Sequence, residues 1–188
     1  MPSAFGLPVR SSDRFGVANG FKYITTLTAS VSASLSYTAF DSTTYESYCI
    51  VLEDIKPVTA GVELHVHGSI NAGSSYDSLW YYRTAADGTA TATSTASNAA
   101  SVGLIGNIRD TLLLGGAGVF YLIYGTLANT KSVYFGTAMC RDETAGTMNF
   151  QRSAAYYDSA LPINALKWQA SSGNLTRGTI HIYGLQKA

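Results

Sequence analysis

Apolar and polar residues alternate along most of this chain with a period of two. From Phe21 to Tyr37, FKYITTLTASVSASLSY sets Phe21, Tyr23 and Leu27, then Val31, Ala33, Leu35 and Tyr37, at alternating positions within short runs. Successive strand residues point to opposite faces, so this spacing predicts half-buried strands. YESYCIVLEDI, from Tyr45 to Ile55, is more continuously apolar and predicts a central strand, ended by Lys56-Pro57 because proline cannot donate to a ladder. VELHVHG then puts Val62, Leu64 and Val66 on one face and Glu63, His65 and His67 on the other.

Beyond it, SYDSLWYYRT predicts another strand, and Asp87-Gly88 is a hairpin signal. TATATSTAS reads as a flat small-residue strand or as a loop, and the best place for a helical turn is Ser97 to Ser101. Further strands are expected at 102–108, 119–126, 132–140, 147–155, 163–169 and 179–185. The run LLLGGAGVFYLIYG, from Leu112 to Gly125, is too short and too broken by glycine for a membrane helix, and reads as two buried strands around a Gly-rich turn. Roughly ten or eleven short strands with regular turn signals predict an all-β fold. An antiparallel β-sandwich of jelly-roll type is the simplest closure, with an up-and-down barrel as its competitor. No fixed-period repeat points to a propeller, solenoid or fibre shaft. Residues 1–20 have no period of their own. They read either as a frayed terminus or as an extended arm whose Phe5, Leu7 and Phe15 dock on a neighbouring subunit, ahead of one β-sandwich domain at 21–188.

Composition strengthens this reading. Only 13% of the 188 residues are charged, against about 25% in an average domain, and 13 Tyr and 7 Phe replace the usual helix formers. A net charge of zero gives no field to draw the chain to nucleic acid or anionic lipid, so neither partner is expected. Low net charge also favours contact between copies. The opening MPSAFGLPVRSSDRFG has no apolar run of signal-peptide length, so secretion by that route is not expected. Cys49 and Cys140 are open to three readings, a disulfide, part of a metal site or two buried thiols, with the last favoured.

Candidate chemistry is thin. His65 and His67 leave the same strand face, as metal ligands would, yet no nearby residues complete a set, so no metal or other cofactor is expected. His181, in the last strand, reads as a surface or interface residue. Nucleophile elbows, phosphate loops and zinc-protease motifs are all missing, so no catalytic residues and no enzyme are expected. Glu53-Asp54 and Asp142-Glu143 are adjacent pairs whose members point to opposite faces, which suits solvated turns better than paired acid–base work. Trp80-Tyr81-Tyr82 and Tyr156-Tyr157 must likewise face both ways. Trp80, Tyr82 and Tyr157 are the candidates for a glycan platform or subunit contact, weighed against ordinary core packing.

The segment INALKWQASSGNLTRGTIHIYGL, from Ile163 to Leu185, resembles the closing strand pair of small tailed-bacteriophage virion proteins. In that family an apolar strand leads to an S-S-G-N turn and a final G-T-I-x-x-Y-G-[LI] strand. Ser171 to Asn174 match the turn, Gly178, Thr179, Ile180, Tyr183, Gly184 and Leu185 match the strand, and Trp168 departs from the aliphatic residue or Phe expected there. ASLSYTAFDSTTYESYCIVLEDIKPVTAGVELHVHGS is more loosely similar. The resemblance implies a virion protein, assembled in the host cytoplasm, that contacts its own copies, as a homotrimer, and the major capsid protein or tail components. Two roles follow: a capsid decoration or cement protein, or a tail-tip or short-fibre module that binds host glycan.

Overall fold

A computed structural model describes residues 20–86, 94–109, 115–124, 131–142 and 147–187. Twelve strands account for most of them: β1 (Phe21–Thr28), β2 (Leu35–Tyr37), β3 (Tyr45–Pro57), β4 (Val62–Ser69), β5 (Trp80–Ala86), β6 (Ser94–Ala99), β7 (Val102–Ile108), β8 (Gly116–Ile123), β9 (Ser132–Arg141), β10 (Met148–Tyr157), β11 (Ala165–Ala170) and β12 (Leu175–Gln186). All pairings are antiparallel. They build an eight-stranded sheet, β1-β12-β3-β8-β9-β10-β5-β6, and a four-stranded sheet, β2-β11-β4-β7. The fold is an antiparallel β-sandwich rather than a barrel.

Part of the winding is that of a jelly roll. The β3–β4 and β11–β12 connections both cross between sheets, and β12 pairs with β3 while β11 pairs with β4. The two crossovers are stitched together: Val58 N–H donates to the Asn174 carbonyl at 2.7 Å and Ser171 N–H to the Glu63 carbonyl at 2.8 Å. Gly173 takes a φ of +72° in this turn, which a side chain would strain. The Ser171–Asn174 motif is therefore the place where the rolled ribbon closes. β8, β9 and β10 form a meander in the larger sheet, whose register runs unbroken from Ile123↔Val133 to Ala117↔Met139 and on to β10.

Between the sheets, Tyr48, Ile50, Leu52, Phe120, Tyr134 and Tyr157 from the large sheet meet Leu64, Val66, Leu166 and Trp168 from the small one, all buried. Gly68 on β4 makes room for the largest of them. A Cβ there would lie 2.9 Å from the Trp80 ring and 3.0 Å from that of Tyr157. The Tyr157 hydroxyl donates to the Gly68 carbonyl at 3.1 Å, so the buried phenol keeps a partner.

Several expectations need correction. Of the Gly-rich segment, Gly116 and Gly118 lie within strand β8 and not in a turn, and a Cβ on Gly118 would sit 2.7 Å from that of Ala138, while residues 112–114, expected as a first strand, fall outside the described residues. Close strand approach explains these glycines. Ser97 to Ala99 belong to β6 and are not helical. Val31 lies outside the strands, with a φ of +54°, and a bulge between Tyr23 and Thr25 breaks the simple alternation of β1. Asp87-Gly88, Glu143 and the segment with Phe5, Leu7 and Phe15 fall outside the described residues.

Candidate functional site

Trp80 and Tyr157, expected as possible outward aromatics, are both 0% exposed and belong to the core. Tyr82 shares their inward phase and packs partly buried against that core. The other half of each aromatic run faces out. Tyr81 and Tyr156 stack with ring centroids 4.9 Å apart and planes within 4°. Which phase is buried was decided across the sandwich, by the space over Gly68, and not by the aromatic residues themselves.

Tyr81 and Tyr156 stand at one side of a continuous apolar array on the outer face of the eight-stranded sheet. One row across the strands reads Phe21, Leu185, Ser47, Ile123, Val133, Tyr156, Tyr81. The next reads Tyr23, Tyr183, Cys49, Tyr121, Phe135, Ala154, Arg83, and the one after it Thr26, His181, Val51, Val119, Thr137, Arg152, Ala85. Tyr121 stacks on Phe135 at 5.5 Å, and Tyr23 meets Tyr183 edge-on at 5.7 Å. Val119, Ile123, Val133, Phe135 and Met139 are each 37–47% exposed. β8 and β9 are thus apolar on both faces, with one face in the core and the other in solvent.

Small residues hollow this face in its middle. Gly136, Thr137 and Ala154 floor an open depression of about 600 Å³, walled by Val119, Tyr121 and Phe135 on one side and by Arg83 and Arg152 on the other. Smaller hollows continue it beside Tyr81 and Tyr156 and beside Met139 and Phe150. Charge is sparse on this face. Arg83, Arg141 and Arg152 are exposed on β5, β9 and β10, with Arg152 lying over the Phe150 ring at 5.5 Å. Across the sheet, Glu53 accepts from His181 Nε2 at 3.1 Å, and His181 Nδ1 bonds the Thr26 hydroxyl at 2.7 Å.

The remaining candidates do not converge. Asp54 turns away from Glu53 at a bulge, with a φ of +50°, accepts from Gly115 N–H at 2.6 Å and pairs with Arg177 at 2.5 Å. Burial works against its charge, but Arg177 and the Gly115 N–H hold the carboxyl below its usual range. That pair is a structural clamp. Asp142 lies at the end of the β9 region, bridged to Ile108. Both thiols are free and stand on opposite faces of the same sheet, Cys140 inward and buried, Cys49 outward and half-buried. Burial pushes both thiols up, away from the reactive thiolate.

On the small sheet, His65 bonds Ser101 at 3.0 Å and Glu63 at 2.9 Å. His67 packs edge-on to Tyr76, over which Lys167 also sits at 4.5 Å from the ring. Among the described residues no three His, Cys, Asp or Glu side chains gather as a metal site would need.

The fold and this face define an antiparallel β-sandwich whose larger sheet carries a continuous apolar outer surface. No protein-family model matches the chain, and no curated protein or solved structure is detectably similar to it.

Proposed function

We propose that this chain is a structural protein on the exterior of a tailed-bacteriophage virion, a capsid decoration or cement protein that acts by protein–protein contacts and not by catalysis. The observation that carries the reading is the outer face of the eight-stranded sheet. It offers aromatic and aliphatic side chains in quantity, with few charged groups among them, which is the composition of a protein contact and not of a reaction centre. The Ser171–Asn174 turn and the strand from Gly178 to Leu185, which resemble phage virion proteins, supply the particle. In this reading the protein assembles with itself, as a trimer, and with the major capsid protein, to which residues 1–20 add contacts.

The tail-module reading loses ground on geometry. Two of the three rings that would have formed its glycan platform, Trp80 and Tyr157, are sealed in the core.

Particles assembled with and without this protein provide the test. The expected result is that particles lacking it lose integrity at lower temperature, or sooner under chelators, and recover when purified protein is added back. Unchanged particle stability, or binding of the purified protein to host cells or a glycan array instead of to particles, would overturn the decoration reading.

A further inference from the structure

We infer that the outer face of the eight-stranded sheet is covered by further copies of this chain, the β9-β10-β5 side of one copy packing on the β1-β12-β3 side of the next. This deepens the reading above by naming its self-contact.

Three observations converge on a second copy as the occupant. First, β8 and β9 carry the residue pattern of strands buried on both faces. Val119 and Ile123 alternate with Phe120 and Leu122, and Phe135 and Met139 with Tyr134 and Ala138. Such two-sided strands occur where both faces are covered, and in the single chain one is bare. Second, the face has the right size. Eight strands spaced by ~4.8 Å and about seven residues of ~3.3 Å give roughly 35 by 23 Å, about 800 Å². That equals one side of a standard stable interface, about 800 Å² per partner.

Third, the face is complementary to itself. Its exposed positive charges include Arg83, Arg152 and Arg141, on β5, β10 and the end of β9, and a carboxylate, Glu53, lies on β3 with 69% of its side chain exposed. Laying like sides together would bring arginine onto arginine, which disfavours that register. Laying unlike sides together brings Arg152 toward Glu53 and Arg83 toward the Tyr183 ring, and sets apolar side chains over the hollow floored by Gly136, Thr137 and Ala154.

Size-exclusion chromatography with light scattering on the purified full chain, away from any particle, tests this separately from the virion reading. The wild type is expected to run as an oligomer. Phe135→Lys is expected to weaken association at least tenfold and to release monomer with an unchanged strand-type circular-dichroism spectrum. If Phe135→Lys does not fold, Met139→Lys asks the same question from a more exposed position on the same strand. Gln169→Lys, on the outer face of the small sheet, is expected to leave the oligomer intact. Arg152→Glu and Glu53→Arg should each weaken association, and the double variant should recover it.

A wild-type monomer at ~100 µM overturns the inference. So does an oligomer broken by Gln169→Lys and not by Phe135→Lys, or a double charge variant that recovers nothing. A monomer that binds capsids through this face would also overturn the self-contact while leaving the decoration reading in place. An oligomer of the expected behaviour that never binds particles would do the reverse.

Discussion

The outer face of the four-stranded sheet presents Glu63, His65, His67, Lys167 and Gln169, whereas the outer face of the eight-stranded sheet presents Val119, Tyr121, Ile123, Val133, Phe135 and Met139. Both sheets bury their inner faces in one core. The small sheet is finished as a soluble surface, and the large one is not. A chain with 13% charged residues places few of them on its widest face. Net hydrophobicity alone would not reveal this, since apolar atoms are common on all protein surfaces; continuity over several adjacent strands does.

The difference between buried and bare can be broken most sharply at one dipeptide. Tyr157 is sealed between the sheets while its neighbour Tyr156 lies on the open face. In a monomeric Phe135→Lys background, Tyr157→Ala is expected to cost about 3–5 kcal/mol in urea unfolding, and Tyr156→Ala about 1 kcal/mol, mostly from its stack on Tyr81. Comparable losses at the two positions would erase the distinction between the faces.

A second substitution acts on the sheet that both faces share. Gly136 pairs with Phe120, and a Cβ there would fall 2.2 Å from the Val119 carbonyl oxygen and 2.6 Å from the Phe120 ring. Gly136→Ala is therefore expected to cost about 2–3 kcal/mol by forcing β8 and β9 apart. Oligomers of this variant should loosen as well, because the hollow it floors is distorted. Unaltered thermal stability would show that the strand pair yields more easily than its geometry implies.

Much of this architecture is legible in the sequence because period-two alternation is a local property. Val62, Leu64 and Val66 against Glu63, His65 and His67 fall on the faces the pattern predicts, and β7 spans 102–108 as expected. Failures arise where the deciding contact is distant. Trp80-Tyr81-Tyr82 is equally apolar in either phase, and only the missing side chain of Gly68, on the other sheet, selects which rings enter the core. Gly116 and Gly118 look like turn residues, since glycine marks a bend and a close strand approach with the same letter; Ala138 across the ladder decides between them. The bare face was also within reach. In β9, VYFGTAMC is apolar in both phases, which signals cover on both sides, but it is easily taken for an ordinary central strand. What lies on that face is not written in either strand.

The mildest test concerns the polar face, where a titration should be visible. His67 is held neutral: burial, followed by the charges of Lys167 and His65, pulls its pKa from 6.5 to about 4, although a hydrogen bond with the Ala100 backbone works the other way. Its Nε2 has no hydrogen-bond partner, so a proton added there would be buried without an acceptor. The sign follows from linkage. The folded pKa is depressed, so neutral His67 contributes fully above about pH 6.5, where neither state binds the proton. Below that the unfolded chain takes up a proton that the folded chain refuses until about pH 4, and stability falls across that window. Partial solvent access limits the loss to on the order of 1–2 kcal/mol. Urea unfolding of the monomeric Phe135→Lys form at pH 7 and pH 4.5 should show the decline, and His67→Asn should flatten it. A decline that persists in His67→Asn would assign it to other groups, and not to Asp54, whose depressed pKa makes stability fall only below its ordinary value of 3.8, beneath this window. Because His67 is on the small sheet, the same acidification should leave a contact made by the large sheet's apolar face in place, so association should persist at pH values where His67 has already begun to weaken the fold.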